Sequence, residues 1–416
     1  MQNKNVCAIL CSMDPVEKLA ISSRETTFEA EGLPLTARTN GLTGGLRPAS
    51  ISRRFGDADK VHRVRSDGHD FHIHLAASGS GRQLPLLKAM LTSACERNCK
   101  YCPFRAGRDF RRVTFQPQEL AHTFFAAHRS GLVEGLFLST GIFAGGANTQ
   151  NKLLETAEIL RKKLSYRGYL HLKIMPGAER GQVLRAMKLA DRVSTNLEAP
   201  NASCLYKIAP QKAFEEELLS PLRWAQEIRQ TLPAHLGWRG RWPTTTTQFV
   251  VGPAGETDLE LLSTVDSLYQ QTGLQRAYFE TFSPVEGTPM ENHPPEDPQR
   301  KVRLYQASFL LRDYGFNLEE LPFMSTGNLP KERDPKTAFA DQVIRGNPIE
   351  VNSADRRALM RVPGIGPRGA DQILKARRST NIRELGQLRR FGILTERAAP
   401  YITLDGSAPS RQLTLF

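Results

Sequence analysis

Long apolar runs are missing from this sequence. No stretch of the 416 residues approaches the roughly 20 apolar residues that a membrane-spanning helix needs, so no membrane partner is expected. The opening, MQNKNVCAILCSMDP, has too short an apolar core for a secretory signal, and the expected location is the cytoplasm. Cysteine is scarce, with six in the chain. Three of them lie so close together that they cannot pair among themselves, which argues against a disulfide framework. Acidic residues are outnumbered, 43 against 56 basic, for a formal charge of +13. That imbalance favours a polyanionic partner without requiring nucleic acid. At 40% hydrophobic and 24% charged the composition is ordinary for a globular chain. The length allows two or three domains.

What stands out against this background is one loop, Cys95-Glu96-Arg97-Asn98-Cys99-Lys100-Tyr101-Cys102. Three thiolates at such spacing can hold three corners of an iron–sulfur cluster. A [4Fe–4S] cluster held this way keeps one iron open to a small molecule, as catalytic metal sites do. Zinc would want a fourth Cys or His nearby, and the candidates, His122 and Cys204, are distant. Cys7 and Cys11 form a separate pair, read as two free thiols.

The C-x3-C-x-aromatic-C pattern, with Tyr101 in the aromatic slot, resembles the signature of the radical S-adenosylmethionine (SAM) enzymes. The resemblance implies a [4Fe–4S] cluster on Cys95, Cys99 and Cys102, with SAM on the fourth iron. It further implies reductive cleavage of SAM to methionine and a 5′-deoxyadenosyl radical that takes hydrogen from a substrate. The cofactor carries the hard chemistry and the protein positions it.

The periodicity from Phe71 onward predicts alternating strands and helices. Strands are expected at 86–92, 135–141, 170–175, 192–198, 246–252 and 275–282, with helices at 117–129, 153–164 and 181–189 between them. This alternation argues an α/β fold with a parallel sheet. The resemblance implies closure into a partial (β/α)6 radical SAM barrel; the alternation alone equally permits an open doubly wound sheet. Ligands gather at the carboxyl ends of such strands. Ser139-Thr140-Gly141 stands where radical SAM proteins usually carry Gly-Gly-Glu, whose backbone holds the SAM amino group; here the acidic side chain is gone. By the same resemblance, Asn196 and Glu198 contact the SAM ribose or methionine end. Lys173 is a candidate partner for the SAM carboxylate, and Gly252 a close approach to the adenine. No catalytic residue acting on the substrate is assigned. The four arginines 105, 108, 111 and 112 just after the cluster fit either a phosphate-bearing substrate or a solvated basic loop.

The domains read from the sequence are a poorly ordered extension (1–60), a catalytic domain (61–297), a connecting segment (298–348), a small all-α domain (349–404) and a flexible tail (405–416). The stretch 358–374 reads helix, Pro-Gly-Ile-Gly, helix, and closely resembles a helix-hairpin-helix DNA-binding motif. Gly364 and Gly366 allow a tight turn that aims amides at a phosphate. Arg361, Arg368 and Lys375 are the expected supporting charges. Residues 345–416 hold 13 basic against 6 acidic residues. In their order, the cysteine loop, GLFLSTGIF, NLEAP, FSPVEGTP, GNLPKERDPKTAFA and RVPGIGP are similar to the DNA modification/repair radical SAM protein family. That resemblance implies action on DNA and a companion uracil-DNA-glycosylase-like protein. An electron donor such as flavodoxin or ferredoxin is expected. Two alternatives stand beside it: a radical SAM enzyme modifying RNA, and a DNA-binding protein with a structural cluster. Finally, Gln412, Leu413, Leu415 and Phe416 resemble the peptide by which repair proteins dock on the sliding clamp.

Overall fold

A computed structural model describes residues 13–26, 61–66, 68–77 and 83–409 of the chain. Cys7, Cys11 and the clamp-like peptide Gln412, Leu413, Leu415 and Phe416 lie outside the described residues.

The described residues fall into two units. The first takes residues up to 256 together with 267–297, and the second takes 257–266 and 298 onward. In the first unit eight strands form one sheet, ordered β1 to β8 as in the chain. They are β1 (Val61–Ser66), β2 (His69–Ala77), β3 (Gln83–Met90), β4 (Gly135–Ser139), β5 (Tyr169–Lys173), β6 (Arg192–Ser194), β7 (Thr244–Val251) and β8 (Arg276–Thr281). From β3 to β8 every pairing is parallel, while β1, β2 and β3 pair antiparallel. Strand order equal to chain order has a consequence. Crossovers of one hand then lay their helices on one face of the sheet. A doubly wound sheet, with helices on both faces, is therefore not the architecture. The helices are α1 (Pro15–Glu25), α2 (Pro117–Arg129), α3 (Gly146–Glu158), α4 (Arg180–Leu189), α5 (Ala202–Ile208) and α6 (Ser220–Thr231), while α7 (Asp258–Thr272) has residues in each unit.

The core follows from strand alternation. Leu87, Leu136, Leu170 and Val193 pack against Phe124, Leu153, Val183 and Ile228 of the helices. The opposite face of the same strands is polar yet buried. Lys88, Phe137, His171 and Arg192 stand side by side in register. One pleat further toward the carboxyl ends come Lys173, Ser194, Thr246 and Arg276. A polar buried face is what a ligand-lined sheet needs and what a second apolar layer would not tolerate.

The first sixty residues depart from expectation. Residues 15–25, expected within a poorly ordered extension, form helix α1, capped by Asp14 and begun by Pro15. Backbone groups of β2 and β3 are completed by its hydroxyls: Ser22 Oγ accepts from Met90 N at 2.7 Å, Ser23 Oγ accepts from His72 N at 3.0 Å, and Thr26 Oγ1 donates to the Lys88 carbonyl at 3.0 Å. A short polar helix without a strong apolar period gives no sequence signal of this docking. β1 and β2 also precede the expected first strand. The strand expected at 192–198 stops at Ser194; Glu198, at φ +65°, meets β7 again only as an isolated parallel bridge to Phe249. The helix expected at 153–164 starts earlier, at Gly146, and closes in a π turn, Ile159–Lys163.

The second unit contains α8 (Pro298–Asp313), α9 (Pro335–Val343), α10 (Arg356–Arg361), α11 (Pro367–Ala376), α12 (Leu385–Arg390) and α13 (Thr395–Ala398). It also carries a parallel pair of two-residue strands, β9 (Ile349–Glu350) and β10 (Ile402–Thr403), so this part is not all-α.

Candidate active site

The cysteine loop leaves the carboxyl end of β3 and is tied down on two sides. On one side Glu96 N donates to the Ile142 carbonyl at 2.7 Å, and Gly141 N donates to the Thr92 carbonyl at 2.7 Å. Gly141 is required there, since a Cβ would meet the Ala94 carbonyl at 2.3 Å. On the other side the segment from Ile208 to Glu217 straps the loop. Lys100 N donates to the Ile208 carbonyl at 2.7 Å, and Asn98 N donates to Gln211 Oε1 at 3.1 Å. Arg97 pairs with Glu217 at 2.6 Å and also reaches the Gln211 carbonyl.

The loop's thiols are free, and Cys95, Cys99 and Cys102 lie within electrostatic reach of one another. Burial pushes the Cys99 and Cys102 thiols up. Phe104 N donates to Cys102 Sγ at 3.4 Å. Among the described residues no three His, Cys, Asp or Glu side chains are gathered as a single-ion site. The donors are the three thiols, and a buried cation near Cys99 and Cys102 balances charge, which suits an anionic polynuclear cluster.

The cation is Lys212. Its Nζ lies 2.9 Å from Glu198 Oε1, and both side chains are buried. Burial alone would depress Lys212, but Cys99 and Glu198 hold it above its ordinary value and keep it charged. Burial alone would raise Glu198, but Lys212 and Lys173 hold it below the usual carboxylate range. The Tyr101 hydroxyl also hydrogen-bonds Glu198. The sequence-expected residues Tyr101, Lys173 and Glu198 thus converge with the cysteines. Lys212 was not legible in the sequence, because the stretch KIAPQKAFEEE carries no motif. Glu198 at positive φ is a strained residue held by its partners, as functional positions often are.

Asn196 is buried, and its Oδ1 has no hydrogen-bond partner. The Thr246 hydroxyl and Gln248 Oε1 are buried in the same condition on β7, and both sit on the polar face of the sheet. Such groups are costly unless a ligand satisfies them. Ser139 and Thr140 are buried at the end of β4, where the Ser139 carbonyl accepts from Leu91 N and the Thr140 hydroxyl bonds the Gly141 carbonyl.

Other expected residues are placed differently. Gly252 has φ +107°, gives its amide to Glu256, and would put a Cβ 2.6 Å from Glu296 Oε2. Two carboxylates therefore flank the position expected to approach the adenine. In the arginine loop, Arg112 donates to the carbonyls of Ser93, Phe104, Arg105 and Arg108. Arg108 reaches the Glu286 and Pro103 carbonyls. These two brace backbone rather than offering themselves to phosphate.

In the second unit, Arg361 does not face solvent beside the turn as expected. It is buried and spans Glu320, the Tyr314 carbonyl and the Gly315 carbonyl, so it is a fold staple and not a phosphate contact. Gly364 has φ +87°, and its missing Cβ makes room for the Leu394 carbonyl, which would lie 2.4 Å away. Its need for glycine is thus the packing of one helix pair on the next. Gly366 caps α11, while Arg368 and Lys375 are exposed on that helix.

Comparison with known proteins agrees with the cysteine loop. The model of the Radical SAM superfamily matches residues 90–268. The chain is 23% identical to tRNA-2-methylthio-N(6)-dimethylallyladenosine synthase of Bacillus mycoides over 233 residues, covering 54% of this chain and 43% of that protein. It is 25% identical over 232 residues to the Deinococcus radiodurans protein of the same name, covering 54% and 43%. The chain therefore spans less than half the length of the curated relatives it matches. Solved structures similar to it include methylornithine synthase (TM-score 0.44, 13% identity, covering 72% of this chain and 76% of that chain). The hydrogenase maturase HydG from Carboxydothermus hydrogenoformans gives a TM-score of 0.43 at 17% identity, covering 55% and 51%.

Proposed function

We propose, from the premise that residues 90–268 are a radical SAM domain and the chain a radical SAM enzyme with a [4Fe–4S] cluster and SAM as cofactors, that it acts on nucleic acid, with DNA as the substrate. Cys95, Cys99 and Cys102 would hold the cluster, with Lys212 balancing its charge. When bound, the cluster supplies the electron that cleaves SAM, whose adenosyl fragment removes hydrogen from the substrate. The chain's own residues orient and shield. Tyr101, Glu198 and Lys212 fix the loop and its charge, while Asn196, Thr246 and Gln248 offer unsatisfied groups to SAM or substrate. The single observation that carries a ligand-binding site beside the cysteine loop is Asn196 Oδ1, buried without a partner on the stretch that also brings Glu198 to that loop.

Support for DNA comes from the second unit. Helices α10 and α11 flank the Pro-Gly-Ile-Gly turn, the first turn of α11 leaves amides for an anion, and Arg368 and Lys375 are exposed beside it. RNA is the second reading, favoured by the tRNA nucleoside in the names of both curated relatives. A uracil-DNA-glycosylase-like companion, a flavodoxin or ferredoxin donor and a clamp-docking tail extend the DNA reading as proposals.

The test is anaerobic reconstitution followed by dithionite and SAM. Wild type should yield 5′-deoxyadenosine, and Cys95→Ala, Cys99→Ala and Cys102→Ala should each lose iron and turnover. Cys204→Ala should keep both. Iron retained in all three variants would overturn the cluster assignment. Competition among duplex DNA, single-stranded DNA and tRNA then separates the two substrate readings.

A further inference from the structure

We infer that Phe143 and Tyr206 are two stacking platforms for unpaired nucleobases at the mouth of this site, an inference that rests on the nucleic-acid reading above. A single exposed apolar side chain is ordinary, but two large exposed rings on the two elements that grip one loop are a feature of that loop's surroundings. Phe143 is 58% exposed and Tyr206 is 70% exposed. Each stands on one of the two elements that brace the cysteine loop. Phe143 follows Ile142, whose carbonyl holds Glu96 N; Tyr206 precedes Ile208, whose carbonyl holds Lys100 N.

Neither ring is loose. The Phe143 amide donates to Thr149 Oγ1 at 3.0 Å, and its carbonyl accepts from the same hydroxyl at 2.8 Å. Two residues on, Gly145 N donates to the Glu96 carboxylate at 3.2 Å. Tyr206 sits on α5, capped by Asn201, with Cys204, Leu205 and Ile208 buried beneath it. The backbone at both positions is fixed, so a ligand meets pre-placed rings and little ordering entropy is lost on binding. Both segments leave the carboxyl ends of strands, β4 and β6, where ligands of such sheets collect.

The occupant is chosen by chemistry. A flat ring exposed beside a site in a chain of charge +13 suits a flat, neutral base on an anionic backbone. Aromatic–base stacking tolerates any base, whereas a paired duplex hides the base faces. The ligand class is therefore an unpaired or extruded nucleotide, one reacting at the cluster loop while neighbours stack on the rings.

The experiment uses the full-length protein with a single-stranded oligonucleotide carrying 2-aminopurine, whose fluorescence falls on stacking, alongside anisotropy for affinity. Wild type should bind and quench. Phe143→Ala and Tyr206→Ala should each weaken single-strand binding about ten-fold, with iron content unchanged. Phe143→Trp and Tyr206→Phe, which keep a ring, should bind like wild type. Binding to fully paired DNA should change little in any variant. A double alanine variant that binds and quenches like wild type overturns the platforms while leaving the nucleic-acid reading intact. Equal losses on duplex and single strand also overturn base stacking. A wild-type protein that binds no DNA or RNA strand removes the nucleic-acid reading and this inference with it.

Discussion

Lys212 and Glu198 form a buried ion pair, 2.9 Å apart and each about nine-tenths withdrawn from water, against the loop that carries Cys95, Cys99 and Cys102. The pair joins two parts of the chain: Glu198 ends the segment after β6, and Lys212 lies on the strap that grips the cysteine loop. A buried pair contributes little by existing, but removing one partner strands the other.

Lys212→Met should therefore destabilise the apo-protein by about 3 kcal/mol, since the Glu198 carboxylate stays buried without its closest cation. Glu198→Gln in the same background should restore part of that loss. A double-mutant cycle on denaturant unfolding measures the coupling. Equal midpoints for wild type and Lys212→Met would show that the pair does not hold the loop.

In the second unit, Gly364→Ala should destabilise by more than about 1 kcal/mol. The residue sits at φ +87°, and the new Cβ would press on the Leu394 carbonyl. Thermal unfolding checks this, and an unchanged midpoint would mean the turn can rearrange.

Arg361 and its neighbours should separate fold from binding. Arg361→Met should lower stability by roughly 3 kcal/mol, because Glu320 and two carbonyls lose a buried donor. Arg368→Ala and Lys375→Ala should leave stability unchanged. Each should weaken DNA binding and flatten its salt slope by about one. A salt slope identical to wild type in both variants would remove α11 from the DNA contact.

Glu25, at the end of α1, titrates near neutrality. Burial raises its carboxyl from 4.5 to about 7, against a hydrogen bond from Ser93 and the charges of Arg24 and Arg112. The folded chain thus keeps this proton after the unfolded chain has lost it. Stability should be greatest below about pH 4.5 on this account, fall as pH rises to about 7, and stay level above. Glu25→Gln should abolish that slope and raise the melting temperature at pH 8. A parallel pH profile in the variant would assign the slope to other groups.

Much of the first unit was legible because its signals are local. Three cysteines at fixed spacing specify a ligand set whatever surrounds them. The run Pro117-Gln118-Glu119 announces a helix start, and α2 begins there with a capping box between Gln116 and Glu119. Strands such as Leu170-His171-Leu172-Lys173 alternate visibly, although what lines their polar face depends on which strands adjoin. Lys173 and Glu198 could be named from their places at strand ends. Lys212 could not, because its role is electrostatic and comes from a strap that meets the cysteine loop only in three dimensions.

The same division explains where expectation and structure part. Arg361 sits in a motif that reads as DNA contact, and local spacing cannot tell an exposed arginine from one that Glu320 and the Tyr314 carbonyl have drawn inside. The docking of α1 depends on Ser22, Ser23 and Thr26 meeting backbone groups of β2 and β3 some fifty to seventy residues away, contacts no sequence period records. Chain order thus determined the elements and the place of the cysteine loop. Burial, which is a property of the assembled sheet and its neighbours, decided which charges became structure and which stayed open to a ligand.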